Sequence, residues 1–395
     1  MAASAPPFAH LQVASSHSLR YGTALPEVLV QQAGGLGQSI IALTDRDGLY
    51  AAVRWARECA RLGLQPVLGV DIAVEETEPA RVHPKFAQST VRGTPARGGA
   101  WIDESRPRVV LLATGARGWT SLCRLVSAAH TGSHTVRGEP WVPWSALRVH
   151  HEGVVVILGA DSETGRYLAG DRPALAEAAT RPWRAIFDRY LAIGVTSHRQ
   201  PGFPAHRRHR YSTAAAARML CWAREQRLPA VLTNAVRYAR PQDAQVARVL
   251  DASRLLVPVT SPRIEREAEP NAYLKSAAEM TQIAAEIADA AVAGGRDERG
   301  GRRLLEDTWH LAQYCALDPQ RDLGLGQVFV PELDVLLGRR MSDPVREADA
   351  LLLQRCRAAI PEMYLGPDQR EAHERLEREI RTIVDLGFSG YFLTV

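Results

Sequence analysis

The chain has 395 residues, 46% of them hydrophobic and 23% charged, with 30 Gly and 24 Pro; this is globular composition and excludes collagen-like and low-complexity chains. The net charge is only +4, and Lys85 and Lys275 are the only lysines among 48 basic residues, so the charge permits nucleic-acid binding without locating it. No apolar run nears the roughly 18 residues of a membrane helix, the N-terminus lacks the parts of a secretory signal, and five scattered Cys without a CxxC pair point to reduced thiols in a cytoplasm.

In chain order, apolar runs at 8–13, 39–44, 65–74, 109–113, 154–158, 190–195 and 230–233 read as buried strands. Between the second and third, Leu49, Ala52, Val53, Ala56 and Ala60 recur at helical spacing. Leu122, Leu125, Val126 and Ala129 form another such face, and 214–226 a third helix. Seven strands alternating with helices predict an α/β chain whose parallel sheet closes, or nearly closes, into a barrel. Two segments interrupt it: 75–108, rich in Gly, Pro and Arg and expected to be a mobile insertion, and the Pro/His/Arg loop 199–210. The glycines at 34, 35 and 37 follow a helix and precede a strand, the wrong order for a phosphate-cradling loop.

Beyond about residue 260 the rhythm turns helical, over 276–293, 343–359 and 369–386, with 294–303 expected as a flexible basic linker. The last helix carries Leu376, Ile380, Ile383 and Val384 on one face, with Gly387 placed to cap it. The sequence stops within the apolar run GYFLTV, which reads as a truncated chain; exposure of Phe388, Tyr391, Phe392 and Leu393 predicts self-association.

Three segments carry a family resemblance: FAHLQVAS from Phe8 with SLRYG from Ser18, ALTDRDGLYAAVRWARECARLGLQPVLGVD from Ala42, and LTNAVRY from Leu232 followed by PQDA. They resemble the PHP (polymerase and histidinol phosphatase) domain that opens the bacterial DNA polymerase III alpha subunit. YLKS from Tyr273 and RLEREIRTIVDLGFSGYFLTV from Arg375 resemble later stretches of the same subunit, so the likeness runs along nearly the whole chain in order. It implies a distorted (β/α)7 barrel over 1–260, with the insertion at 75–108, followed over 261–395 by a mainly helical, incomplete start of the polymerase thumb and palm. DGLYAAVRWA leans toward the error-prone branch.

The family's barrel holds up to three metal ions at its strand ends, where paired metals activate water on a phosphoester. By resemblance His10 matches the first His of an HxH pair and Gln12 the second, Ala14 a further His, and Tyr21 an Asp. Asp45 is kept, Arg46 replaces a His, Asp71 replaces a Glu, and Arg108 stands where a His precedes the fourth strand. His198 matches a late His, while Ala235 and Arg237 replace an Asp and a His. Arginine does not deprotonate to become a ligand and repels a divalent ion. The expectation is therefore a vestigial cleft with no metal and no catalytic residue. His10 alone reads as a hydrogen-bonded core histidine, Asp45 and Asp71 either as cap or turn residues or as ion-pair partners, and His198, His206 and His209 as part of a solvated loop. Convergence of strand ends predicts that Asp45, Arg46, Asp71 and Arg237 form one ion-pair network.

The resemblance implies a polymerase-subunit fragment without the Gly-rich stretch and Asp-x-Asp pair of the Mg-dependent polymerase site, and without the Zn or Mn of intact PHP sites. Expected partners are DNA, bound weakly and without sequence preference, and other replication or translesion subunits; no membrane is implied. The alternative is a free-standing metal-dependent PHP phosphoesterase or 3′–5′ exonuclease.

Overall fold

A computed structural model describes residues 6–78, 106–132, 139–200, 210–261, 264, 270–292, 301–327, 333 and 342–395. Most of the insertion 75–108, all but the ends of the loop 199–210, and most of the linker 294–303 lie outside the described residues. By compactness the chain divides into residues 1–325 and 326–395.

The first unit is α/β. Its sheet has strands β1 Ile40–Arg46, β2 Gln65–Ala73, β3 Arg108–Ala113, β4 Val154–Leu158, β5 Leu191–Thr196 and β6 Ala230–Thr233, side by side in that order. Around it stand α1 Pro26–Gly35, α2 Ala52–Leu62, α3 Gly115–Thr131, α4 Trp144–Val149, α5 Glu163–Ala169, α6 Pro173–Phe187, α7 Thr213–Glu225, α8 Ala244–Leu255, α9 Ala277–Val292 and α10 Arg302–Cys315. The strands are buried on both faces, as β-branched and apolar runs require. Ile40, Ala42, Val110, Leu112, Val155 and Ile157 alternate into one core; Ile41, Leu43, Val109, Leu111, Val154 and Val156 alternate into the other, beneath the helices.

Two features depart from an all-parallel seven-stranded barrel. β3 runs antiparallel to β2 and β4, because the chain re-enters the sheet at the end where β2 leaves it. The run 8–13 is also not a regular strand. It lies between the sheet's two edges: His10 and Val13 carbonyls accept the Ala42 and Thr44 N–H groups of β1, while Gln12 O accepts Val236 N–H just past β6. A bend at Leu11 breaks its alternation, with Ala9 and Leu11 in one core and Phe8 and Val13 in the other.

α2 forms where expected but turned by about one position: Ala52, Trp55, Ala56 and Cys59 are buried, whereas Val53 and Ala60 are exposed. Trp55, with the largest apolar surface, sets the face. The expected linker gives way to α10 at Arg302, and α10 delivers Ala312 and Cys315 to the core lined by Ala9, Leu11 and Ile40. With α9 packed on α7 and α10 on β6, the first compact unit runs on to residue 325.

The second unit is helical: α11 Pro344–Met363, α12 Asp368–Asp385 and α13 Ser389–Thr394. Asp343 caps α11 by accepting Arg346 N–H, with Pro344 in the first turn. α12 buries Ile380 and half-buries Leu376, Ile383 and Val384. Gly387, at φ +72°, ends it as expected, giving its N–H to Val384 O while Phe388 N–H reaches Ile383 O. Phe388, Tyr391 and Phe392 are exposed; Leu393 is half-buried. Among the described residues no helix is long and apolar enough to cross a membrane, and all five cysteines are free.

Candidate functional site

The C-terminal ends of the parallel strands form one mouth, and antiparallel β3 contributes its first residue there. Arg46 pairs in register with Asp71 across β1 and β2. Arg108 then reaches back over both strands. Its Nε donates to Asp71 Oδ1 at 2.7 Å, and its Nη2 donates to Asp71 O at 2.7 Å and to Asp47 Oδ1 at 2.8 Å. Burial disfavours the guanidinium charge, but the Asp47 and Asp71 carboxylates more than offset that and raise its pKa above the ordinary value. The cavity left beside it is about 10 Å³, bordered by Gln12, Asp71, Arg108, Asp161, Thr196 and Tyr211; this is room for about one water. Asp161, just past β4, accepts from Tyr211 OH at 2.7 Å and Arg210 Nη1 at 2.8 Å. Burial would push its carboxyl up, yet Arg210, the Tyr211 bond and Arg166 together hold it below the ordinary range.

The ion pairs are partitioned differently from the expected network. Asp45 is buried and takes its hydrogen bonds from serines: Ser15 N–H at 2.6 Å, Ser15 Oγ at 2.8 Å and Ser18 Oγ at 2.7 Å. Burial pushes its carboxyl up against those bonds. Arg237 turns to Asp251 of α8, giving Nη1 and Nη2 at 3.0 and 2.6 Å, and Arg254 adds a third bond at 2.7 Å. The Arg46, Arg237 and Arg254 guanidinium carbons lie 3.5, 4.1 and 5.7 Å from the ring centroid of Tyr21. So Arg108 pairs with Asp71 and Asp47, and Arg237 with Asp251, while Arg46 stacks on Tyr21. The reason is reach: two serines at 15 and 18 already enclose Asp45, and α8 brings a carboxylate under Arg237.

His10 is not brought to the cavity either. Because of the bend at Leu11, Gln12 borders the cavity while His10 packs edge-on against Phe8 and donates from Nε2 to Lys275 O at 2.9 Å. His198 is buried, not solvated; it stacks on Tyr211 with ring centroids 4.8 Å apart and donates from Nε2 to Asn234 O at 2.8 Å. Desolvation lowers both histidines to about 4. His206 and His209 lie outside the described residues. Ala235 is buried at φ 41°, a left-handed conformation, within the turn that leads to Arg237. Among the described residues, no three His, Cys, Asp or Glu side chains are placed to hold a metal ion.

Sequence reasoning missed Asp47, Asp161, Tyr211, Asp251 and Arg254. One signal was available: Asp251 and Arg254 sit at i,i+3 spacing, a charged pair within a helix whose buried side includes Ala244, Ala247 and Ala252. Arg108→Ala is expected to lower unfolding free energy by about 2 kcal/mol, less than a fully buried pair because Asp47 is partly solvated. A thermal or urea melt measures it; an unchanged midpoint contradicts the pairing.

Residues 10–198 match the PHP domain model. The chain is 27% identical over 372 residues to a DNA polymerase III subunit alpha of Xylella fastidiosa, covering 93% of this chain and 26% of that protein. It is 28% identical over 403 residues to an error-prone DNA polymerase of Mycolicibacterium paratuberculosis, covering 100% of this chain and 32% of that one. The chain thus spans about a quarter to a third of the length of these curated relatives. Among solved structures, an amidohydrolase from Chromobacterium violaceum aligns at 13% identity with a TM-score of 0.36 over 58% of this chain and 87% of that one, a likeness too slight to build on.

Proposed function

From a chain that carries a PHP domain and is homologous, along nearly its whole length, to the N-terminal region of bacterial DNA polymerase III alpha subunits, we infer a structural rather than hydrolytic role for the barrel. The parent activity is DNA-directed DNA polymerisation, replicative or error-prone, and this region serves it as a scaffold. The observation that carries the reading is Arg108, which occupies the mouth and bonds both Asp71 and Asp47.

The residues present do not fit the divalent ions of intact PHP sites. A metal there needs several neutral imidazoles and carboxylates facing one point. By the resemblance Gln12, Ala14, Ala235 and Arg237 take the places of ligands, and the guanidinium groups of Arg46 and Arg108 bring fixed positive charge beside Asp71. Without the ion no activated water and no phosphoester hydrolysis follow. DNA contact through Arg-rich surfaces is weak, salt-sensitive and independent of sequence, and partner subunits of replication or translesion synthesis complete the assembly.

The test is hydrolysis of a 3′-terminated primer and of a phosphomonoester with Mn²⁺ or Zn²⁺ added. No turnover above the metal-only control is expected. Metal-dependent hydrolysis that disappears in Asp71→Asn would overturn the reading.

A further inference from the structure

We propose that the segment 271–276 is a latch by which the barrel holds α9 and α10, and that His10, Gln38 and Asn234 are its catches. The segment lies as a short extra strand beside the chain after β6. Tyr238 and Tyr273 form a parallel bridge, Arg237 N–H donates to Ala272 O at 2.8 Å, and Leu274 N–H donates to Tyr238 O at 3.1 Å.

What distinguishes it from an ordinary connection is that buried side chains take its carbonyls. Asn234 Nδ2 donates to Asn271 O at 2.9 Å and Tyr273 O at 2.8 Å. His10 Nε2 and Gln38 Nε2 converge on Lys275 O at 2.9 and 3.0 Å. Lys275 folds back so that its ammonium donates to Asn271 O and stands 3.9 Å from the Tyr273 ring centroid. His10, Asn234 and Lys275 are all at most 1% exposed, and Gln38 is 6% exposed. Releasing the segment exchanges all of these buried hydrogen bonds for bonds to water at once, a net loss that favours the closed state.

The closed latch also sets where α9 starts. Ser276 follows it directly and forms a reciprocal cap with Glu279: Ser276 N–H and Oγ donate to Glu279 Oε2, and Glu279 N–H donates to Ser276 Oγ. α9 packs on α7 and α10, and α10 enters the core through Ala312 and Cys315, with Thr308 Oγ1 accepting Leu232 N–H of β6. Residues 271–292 and α10 therefore form one cooperative unit hung on His10 and Asn234. This explains a buried His10 that faces no part of the mouth: it is a positioning residue for the helical extension.

Hydrogen exchange of the full chain tests this, comparing the native protein with His10→Ala, the milder Gln38→Ala, and His10→Gln, which restores a donor. Amides of 272–292 and α10 should exchange about tenfold faster in His10→Ala. The same segments, and no others, should respond less in Gln38→Ala and recover in part in His10→Gln. Unchanged exchange in 272–292, or equal acceleration of the central strands β3 and β4, would overturn the proposal. If His10→Ala does not fold, Gln38→Ala decides on the same criterion.

Discussion

Asp251→Ala is expected to lower unfolding free energy by roughly 3–5 kcal/mol, the range for breaking a buried ion pair by removing one member. Asp251 is fully buried and accepts two bonds from Arg237 and one from Arg254, whose side chains are only 7% and 5% exposed. Without it, two guanidinium groups stay in the interior facing the ring of Tyr21 and, for Arg237, the Tyr21 carbonyl at 3.3 Å. A cation–π contact of about 1–2 kcal/mol does not replace a carboxylate. Urea denaturation measures the loss. A change below about 1 kcal/mol would show that the three charges do not act as a unit. Replacing all three with apolar residues of similar volume should cost far less than the single change, because no charge is then left behind.

Acid should unfold the protein between about pH 6.5 and 4. His10 and His198 are buried and neutral in the fold, with pKa values lowered to about 4 by desolvation. His10 has a plain cause: its Nε2 is already a donor, and its Nδ1 is buried with no acceptor beside it. In the unfolded chain both rings take up protons near pH 6.5. Across that window the unfolded state binds more protons at these two sites, so their contribution to stability is complete above about pH 6.5 and falls as pH drops toward 4, by roughly 3 kcal/mol for each ring. Asp45 and Glu163, whose carboxyls burial pushes up, act in the opposite sense. The decisive quantity is therefore the difference between the native protein and His10→Gln: the variant should lose about half of the acid sensitivity of the pair. Identical pH profiles for the two would contradict the assignment.

Much of this was legible in the sequence where a residue's own neighbours decide its fate. β4 and β6 fall on the expected runs because Val154–Leu158 is apolar throughout, β6 is apolar up to its last residue Thr233, and both sheet faces are covered. Gly387 ends its helix because the left-handed turn there favours glycine. Which charge meets which was not legible there. Arg108 meets Asp71 because β3 runs antiparallel, a matter of where the chain re-enters the sheet. Arg237 meets Asp251 because α8 folds back beneath it. His10 and Gln12 sit two apart, and only the bend at Leu11 separates their surroundings.

In the proposed scaffold role, the fixed guanidinium charge of Arg108, bonded to Asp71 and Asp47, takes the place of a metal ion in the mouth. Elemental analysis of the purified protein, joined to its melting temperature with and without EDTA and with Mn²⁺ or Zn²⁺ added, tests it most directly. No stoichiometric metal and the same melting temperature in every condition are expected. Near-stoichiometric Zn or Mn, with a large fall in melting temperature on chelation, would contradict it.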